Sequence, residues 1–121
     1  MPSKRQIAGM KAEAYAAVNL ENLGWELLAK NLRTPYAEVD LFMLSPSGQP
    51  VVVEVKARST GSWVEGEDCL GAQQRSRLFR AAEWLSQQRH EQQMIRVDLV
   101  LVELIGGNPV HWSLLQEIGL N

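Results

Sequence analysis

Three side chains, Asp40, Glu54 and Lys56, offer this 121-residue chain its clearest chemistry. They lie in EVDLFML and VVVEVKA, two apolar, β-branched runs separated by Ser45-Pro46-Ser47-Gly48-Gln49-Pro50, a cluster suited to reversing the chain. The pattern predicts a hairpin over Glu38 to Arg58. Side chains alternate across a strand, so Val39, Leu41 and Met43 share one wholly apolar face with Val51, Val53 and Val55. The opposite face is apolar near the turn, at Phe42, Leu44 and Val52, and charged at its far end, at Glu38, Asp40, Glu54 and Lys56. If Leu44 pairs with Pro50, then Phe42 faces Val52, Asp40 faces Glu54 and Glu38 faces Lys56, with facing Cβ atoms about 5 Å apart. Opposed carboxylates destabilise a sheet unless one is protonated or a cation sits between them, and an all-oxygen site suits Mg²⁺ or Mn²⁺. A slip of two residues instead pairs Asp40 with Lys56 as an ordinary ion pair. A solvated charged edge is the third explanation that spacing leaves open.

Positioning these residues takes the rest of the chain. Residues 5 to 23 predict an amphipathic helix with Ile7, Met10, Ala14, Ala17, Val18 and Leu20 inward and Gly24 as its stop. Glu13 lies within it among small residues that let a helix approach a sheet closely; its local pattern alone fits an exposed helix acid. Trp25 to Arg33 predicts a first strand ended by Thr34-Pro35, and Ser59 to Asp68 a polar loop. Leu70 to Arg89 predicts a second helix with Leu78, Ala81, Ala82 and Leu85 inward. Ile95 to Leu104 predicts a strand parallel to the third, since a helix connects the two, and Val110 to Leu115 an edge strand or an irregular tail. The order is α-β-β-β-α-β, an α/β fold with a mixed sheet flanked by helices, spanning 1–121 as a single domain.

Composition narrows the functions. A hydrophobic content of 45% supports a core without staples. The single cysteine, Cys69, forms no intrachain disulfide and excludes multi-cysteine zinc sites, which fits a reducing, cytoplasmic setting. Cys69 follows an acidic loop that disfavours its thiolate. No segment has the length of a membrane span. The net charge of −2 argues against non-specific duplex binding driven by counterion release, so any contact with nucleic acid rests on local basic patches. Arg75, Arg77 and Arg80 with Trp84 form such a candidate on the second helix, where a solvated face is the competing explanation. His90 and His111 have no partner at useful spacing.

An acid in a first helix, an Asp on a second strand and Glu-x-Lys on a third resemble the core of the PD-(D/E)XK nuclease superfamily. Gly9-x-x-x-Glu13, Gly24-Trp25, Asn31-x-Arg33, Glu38-Val39-Asp40-Leu41, Val53-Glu54-Val55-Lys56-x-Arg58 and Arg96-Val97-Asp98 together resemble the YraN-like family of small bacterial proteins, itself similar in fold to archaeal Holliday-junction resolvases. The resemblance spans Gly9 to Val102. It implies a restriction-endonuclease-like fold, with Asp40, Glu54 and the Val55 carbonyl as ligands of Mg²⁺ or Mn²⁺, Lys56 beside the attacking water and Glu13 as a helper carboxylate. Ala12 and Ala37 stand where the family pattern has glycine, and Gln74 where it has lysine, a phosphate contact that passes to Arg75 if it is kept. Arg58, Arg75, Arg77 and Arg80 are the expected nucleic-acid contacts. Three functions follow: a metal-dependent nuclease on branched or flapped DNA, a nuclease-fold protein that binds nucleic acid without cutting, and a protein-interaction module. Resolving a four-way junction implies a homodimer, with Val110 to Leu115 as its apolar contact unless Trp112 and Leu114 are buried in the monomer.

Overall fold

The computed structural model describes residues 1–60 and 70–119. Most of the expected polar loop, from residue 61 on, and Cys69 lie outside these residues. Helix α1 (Lys4–Asn22) is followed by strands β1 (Glu26–Arg33), β2 (Glu38–Leu44) and β3 (Pro50–Ser59), helix α2 (Ala72–Gln88), and strands β4 (Arg96–Ile105) and β5 (Asn108–Leu115). The five strands form one mixed sheet in chain order, antiparallel except where β3 meets β4. That parallel pair is what a helical crossover dictates. The C-terminal stretch is therefore an edge strand, with Pro109 where no inner ladder needs its missing N–H. No helix among the described residues is long and apolar enough to cross a membrane.

Each helix covers one face. Leu78, Ala81, Ala82 and Leu85 of α2 are buried as expected, against Phe42, Val52, Val97, Leu99 and Leu101. On the other face Ala12, Ala16, Ala17 and Leu20 of α1 meet Leu41, Met43, Val51, Val53, Val100 and Val102, with Trp112 and Leu114 packed alongside. The expected inward face of α1 is thus corrected: Met10 is 64% exposed, and Ile7, Ala14 and Val18 are exposed too. The small residues Ala12 and Ala16, spaced one turn apart, face the sheet, so the helix lies close to it and carries Glu13 with it. Ser3 starts α1 with a reciprocal capping box, accepting from the Gln6 N–H while the Gln6 side chain accepts from the Ser3 N–H.

One departure from strict alternation matters for the site. Val39, expected beside Leu41, packs instead in the α2-side core with Phe42, as does its β1 partner Leu32 beside Ala29. Both strands therefore switch faces across the position of Asp40. Opposite it in β1 sits Asn31 with φ 49°, a left-handed conformation that asparagine tolerates and β-branched residues resist. The Asn31-x-Arg33 motif thus has a backbone role. Replacing Asn31 with Val should cost about 1–2 kcal/mol in chemical denaturation, whereas Asn31→Gly should stay within a few tenths; equal losses for both would show that the side chain, not the backbone, matters.

Candidate functional site

The β2–β3 ladder keeps the expected register from Leu44–Pro50 through Phe42–Val52 to Leu41–Val53, then stops. The expected continuation to Asp40–Glu54 and Glu38–Lys56 does not form as ladder pairs, and Glu38 lies opposite Arg33 of β1. Where the ladder ends, Asp40 Oδ2 accepts a hydrogen bond from the Val55 N–H at 2.9 Å, so a side-chain carboxylate takes the place of a backbone carbonyl. Both polar groups of a strand residue face the same edge, which turns the Val55 carbonyl toward the same gap.

Glu54 sits in that gap, 5% exposed. Its carboxyl is in hydrogen-bonding contact with that of Asp40, and its Oε2 accepts from Gln74 Nε2 on the first turn of α2. Burial foremost, then the charge and hydrogen bond of Asp40, push its pKa from 4.5 up to about 9, against a smaller downward pull from Lys56. Glu13 approaches from α1, and burial, followed by the charges of Asp40 and Glu38, raises it from 4.5 to about 7. Lys56 is half-buried and, among the described residues, makes neither an ion pair nor a hydrogen bond through its side chain. The gap between β2 and β3, closed by α1 on one side and α2 on the other, thus gathers Asp40, Glu54, Val55 and Lys56, with Glu13 near.

A buried carboxyl held against a half-buried one is stable only with a proton or a cation between them, and their oxygen donors match a hard divalent ion. Asp40, Glu54 and the Val55 carbonyl fit Mg²⁺ or Mn²⁺ on that ground. Among the described residues no group of three or more His, Cys, Asp or Glu side chains is arranged to hold a metal ion. The charge of Glu13 adds to the upward shift of Glu54.

The expected basic contacts separate. Arg77 and Arg80 are exposed on α2, and Arg80 lines a hollow of about 230 Å³ with Tyr36, Glu83, Trp84 and Gln87. Arg75 is not beside them: it is 6% exposed, and its Nη1 donates to the Gly119 carbonyl at 2.9 Å. This corrects its placement on the surface: its guanidinium ties the C-terminal segment to α2. Arg58 is half-buried in β3, donating to the Ala57 carbonyl at 2.8 Å. Ala12 is buried against the sheet, and Ala37 has no left-handed φ, so neither position strains an alanine where the family pattern has glycine. His90 lies in the turn after α2 and His111 on β5, both exposed and away from the carboxyl pair.

Sequence reasoning missed the Gln74–Glu54 hydrogen bond, because only the packing of α2 on the sheet reveals which helix residue faces β3. It also left Arg96 and Asp98 without a role. Asp98 is completely buried, receives both Nε and Nη2 of Arg96 at 2.9 Å, and accepts from the Glu117 N–H at 2.9 Å. Arg96 further stacks over Trp25, 5.8 Å from the ring centre. An Arg-x-Asp spacing on one strand face was the available signal.

The raised acids set the pH response of the metal-free protein. Between pH 4.5 and about 9 folded Glu54 holds a proton that the unfolded chain has lost, so its contribution is complete at acid pH and declines as pH rises. Glu13 acts in the same direction between 4.5 and about 7. The melting temperature in chelator should therefore fall by several degrees from pH 5 to pH 9, and Glu54→Gln should flatten the decline. A wild-type protein that gains stability over that range would contradict the protonated pair.

Comparison with known proteins completes the picture. A family model described as "Uncharacterised protein family UPF0102" matches residues 12–102, a span that contains every residue of the carboxyl site. A UPF0102 protein of Granulibacter bethesdensis is 38% identical over 100 residues, covering 81% of this chain and 61% of that longer protein. One from Bifidobacterium longum is 34% identical over 105 residues, covering 84% of this chain and 85% of its own, and one from Halorhodospira halophila is 38% identical over 105 residues, covering 86% and 81%. The expectation of a YraN-like protein thus holds at the level of family, and the chain belongs to the uncharacterised protein family UPF0102.

Proposed function

We propose that this chain is a Mg²⁺- or Mn²⁺-dependent nuclease of the PD-(D/E)XK type, on a restriction-endonuclease-like core, that hydrolyses phosphodiester bonds in nucleic acid, with branched DNA as the substrate. The observation that carries this reading is the contact between the Asp40 and Glu54 carboxyls at the opening between β2 and β3, with Lys56 two residues further along β3. A buried glutamate held against a second carboxyl is out of place in a purely structural sheet.

Asp40, Glu54 and the Val55 carbonyl would hold the cation, which when bound polarises a phosphoryl oxygen and lowers the pKa of a water. The protein's own groups then divide the remaining work. Lys56 offsets the negative charge that grows on the phosphate in the transition state, an effect strengthened by the low dielectric around Glu54. Glu13, with a pKa near 7, takes up or returns a proton close to neutral pH. Gln74 holds Glu54 Oε2 and so fixes the direction in which the carboxyl presents its other oxygen. Cutting both strands of a four-way junction needs two sites related by a two-fold axis, so that activity belongs to a homodimer. Trp112 and Leu114 are committed to the α1-side core, which leaves the exposed Ile105 and Val110 on the β4–β5 hairpin as the apolar surface for such a contact.

One observation favours a binder that does not cut. The family pattern has lysine where this chain has Gln74, and a neutral amide gives Glu54 a hydrogen bond without adding the positive charge that transition-state stabilisation uses. Cleavage of duplex, single-stranded, flap and four-way DNA with Mg²⁺ and with Mn²⁺ separates the two. Wild type should cut at least one substrate, Asp40→Asn and Glu54→Gln should each lower the rate by about 10²-fold or more, and the rise in melting temperature on adding Mn²⁺ should vanish in both. Cleavage that survives both substitutions would refute the site; binding without any cleavage would establish the non-cutting alternative.

A further inference from the structure

The net charge of the chain is −2, yet its cations are not evenly spread. A groove of about 900 Å³ runs between the N-terminal half of α1 and the C-terminal half of β3, and its walls carry Lys4, Arg5, Lys11, Lys56 and Arg58. Those are five of the 12 Lys and Arg residues, and no Asp or Glu is among the described residues that line it. Among the described residues none of the five has a carboxylate within 4 Å. Val55 and Lys56 line the groove, and Lys56 acts on Glu54 through its charge, so the groove adjoins the carboxyl site although neither Asp40 nor Glu54 lines it.

We infer that this groove binds the phosphodiester backbone of nucleic acid and leads it to the carboxyl pair, which makes α1 and β3, in place of the Arg77–Arg80 face of α2, the main binding surface. The inference rests on the nuclease reading for what happens at the end of the groove, but not for the binding itself. Lys4 and Arg5 stand in the first turn of α1, which has no acid, although the helix dipole favours acids there and disfavours cations. Helix stability therefore does not account for them, whereas an anion in the groove does, since it gives the cations an opposite charge to face. From Lys4 to Lys11 the helix advances about 10 Å, the axial run of about three nucleotides of B-form strand. Lys56 and Arg58 on the facing strand give the backbone a second wall. Contacts of this kind position a strand without reading its bases, so the binding should be independent of sequence.

Binding measured in chelator keeps affinity apart from cleavage. Fluorescein-labelled duplex, single-stranded and four-way DNA are titrated with the full chain, with Lys4→Gln/Arg5→Gln/Lys11→Gln, with Arg77→Gln/Arg80→Gln and with Asp40→Asn, across a range of salt. The triple variant should lose about tenfold or more in affinity near 0.1 M salt, and its plot of log affinity against log salt should be shallower by about two to three. Its melting temperature should stay within a few degrees of wild type, since two cations leave the dipole while the exposed hydrogen bond from Lys11 to Asn108 Oδ1 is lost, which rules out unfolding as the cause. The Arg77/Arg80 variant should stay within about twofold of wild type, and Asp40→Asn should bind at least as tightly as wild type. Failure of wild type to bind any of the three DNAs, an unchanged triple variant, or a loss confined to the Arg77/Arg80 variant would overturn the inference. Tight groove-dependent binding by a protein that never cleaves would instead reject the nuclease reading and leave this one standing.

Discussion

Everything distinctive about this structure depends on one substitution of hydrogen-bond partners: the Asp40 carboxylate, not a backbone carbonyl of β2, receives the Val55 N–H. A buried N–H must be paired, and satisfying it with a side chain lets β2 and β3 part beyond Leu41–Val53 without leaving an orphan donor. The parting creates the gap, and the gap exposes the edge of β3 on which Val55 and its neighbours sit. Because Asp40 is held there by its own hydrogen bond, Glu54 has no freedom to retreat from it, and the two carboxyls are kept together through folding energy supplied elsewhere. The left-handed Asn31 and the change of faces at Val39 and Leu32 are the same event seen from β1. A regular ladder carried to the end of the strands would pair Glu38 with Lys56 and close the site.

This also marks where sequence was legible. The order of elements, the parallel β3–β4 pair and the inward face of α2 follow from periodicity and from the crossover rule, because each is set by many residues acting together. The register near the turn was legible for a similar reason, since Ser45 to Pro50 leaves few ways to close the hairpin. The face of α1 was not. Its large apolar residues Met10 and Val18 point to solvent while alanines meet the sheet, so hydrophobicity misleads and only the closeness of helix and sheet decides. The end of the ladder was illegible too, because a single side-chain hydrogen bond ended it. The alternating pattern predicts pairing to continue and carries no mark for the place where it stops.

Charge placement follows a comparable logic at a larger scale. A chain with more acids than bases can still gather its cations where acids are absent, and the groove beside α1 does this with Lys4, Arg5, Lys11, Lys56 and Arg58. The carboxyl pair lies at the acidic end of that gradient. A proton held between Asp40 and Glu54 lowers the local negative charge by one.

Two buried acids of this sheet differ in how their charge is met. Asp98 is fully buried, and three donors meet it: two from the Arg96 guanidinium and one from the Glu117 backbone. Its charge is matched in sign, geometry and number, so it ties β4 to the C-terminal segment and asks for nothing more. Glu54 is almost as deeply buried, but its neighbours are another carboxyl, a neutral amide and a lysine that reaches it through charge alone. That arrangement leaves the site short of positive charge by about one or two units, which only an added proton or cation supplies. Both residues belong to motifs that resemble one family, and their spacing alone did not separate them. Burial and the charge of the partners do so, since Asp98 is met by a guanidinium and a backbone N–H while Glu54 is met by another carboxyl and a neutral amide.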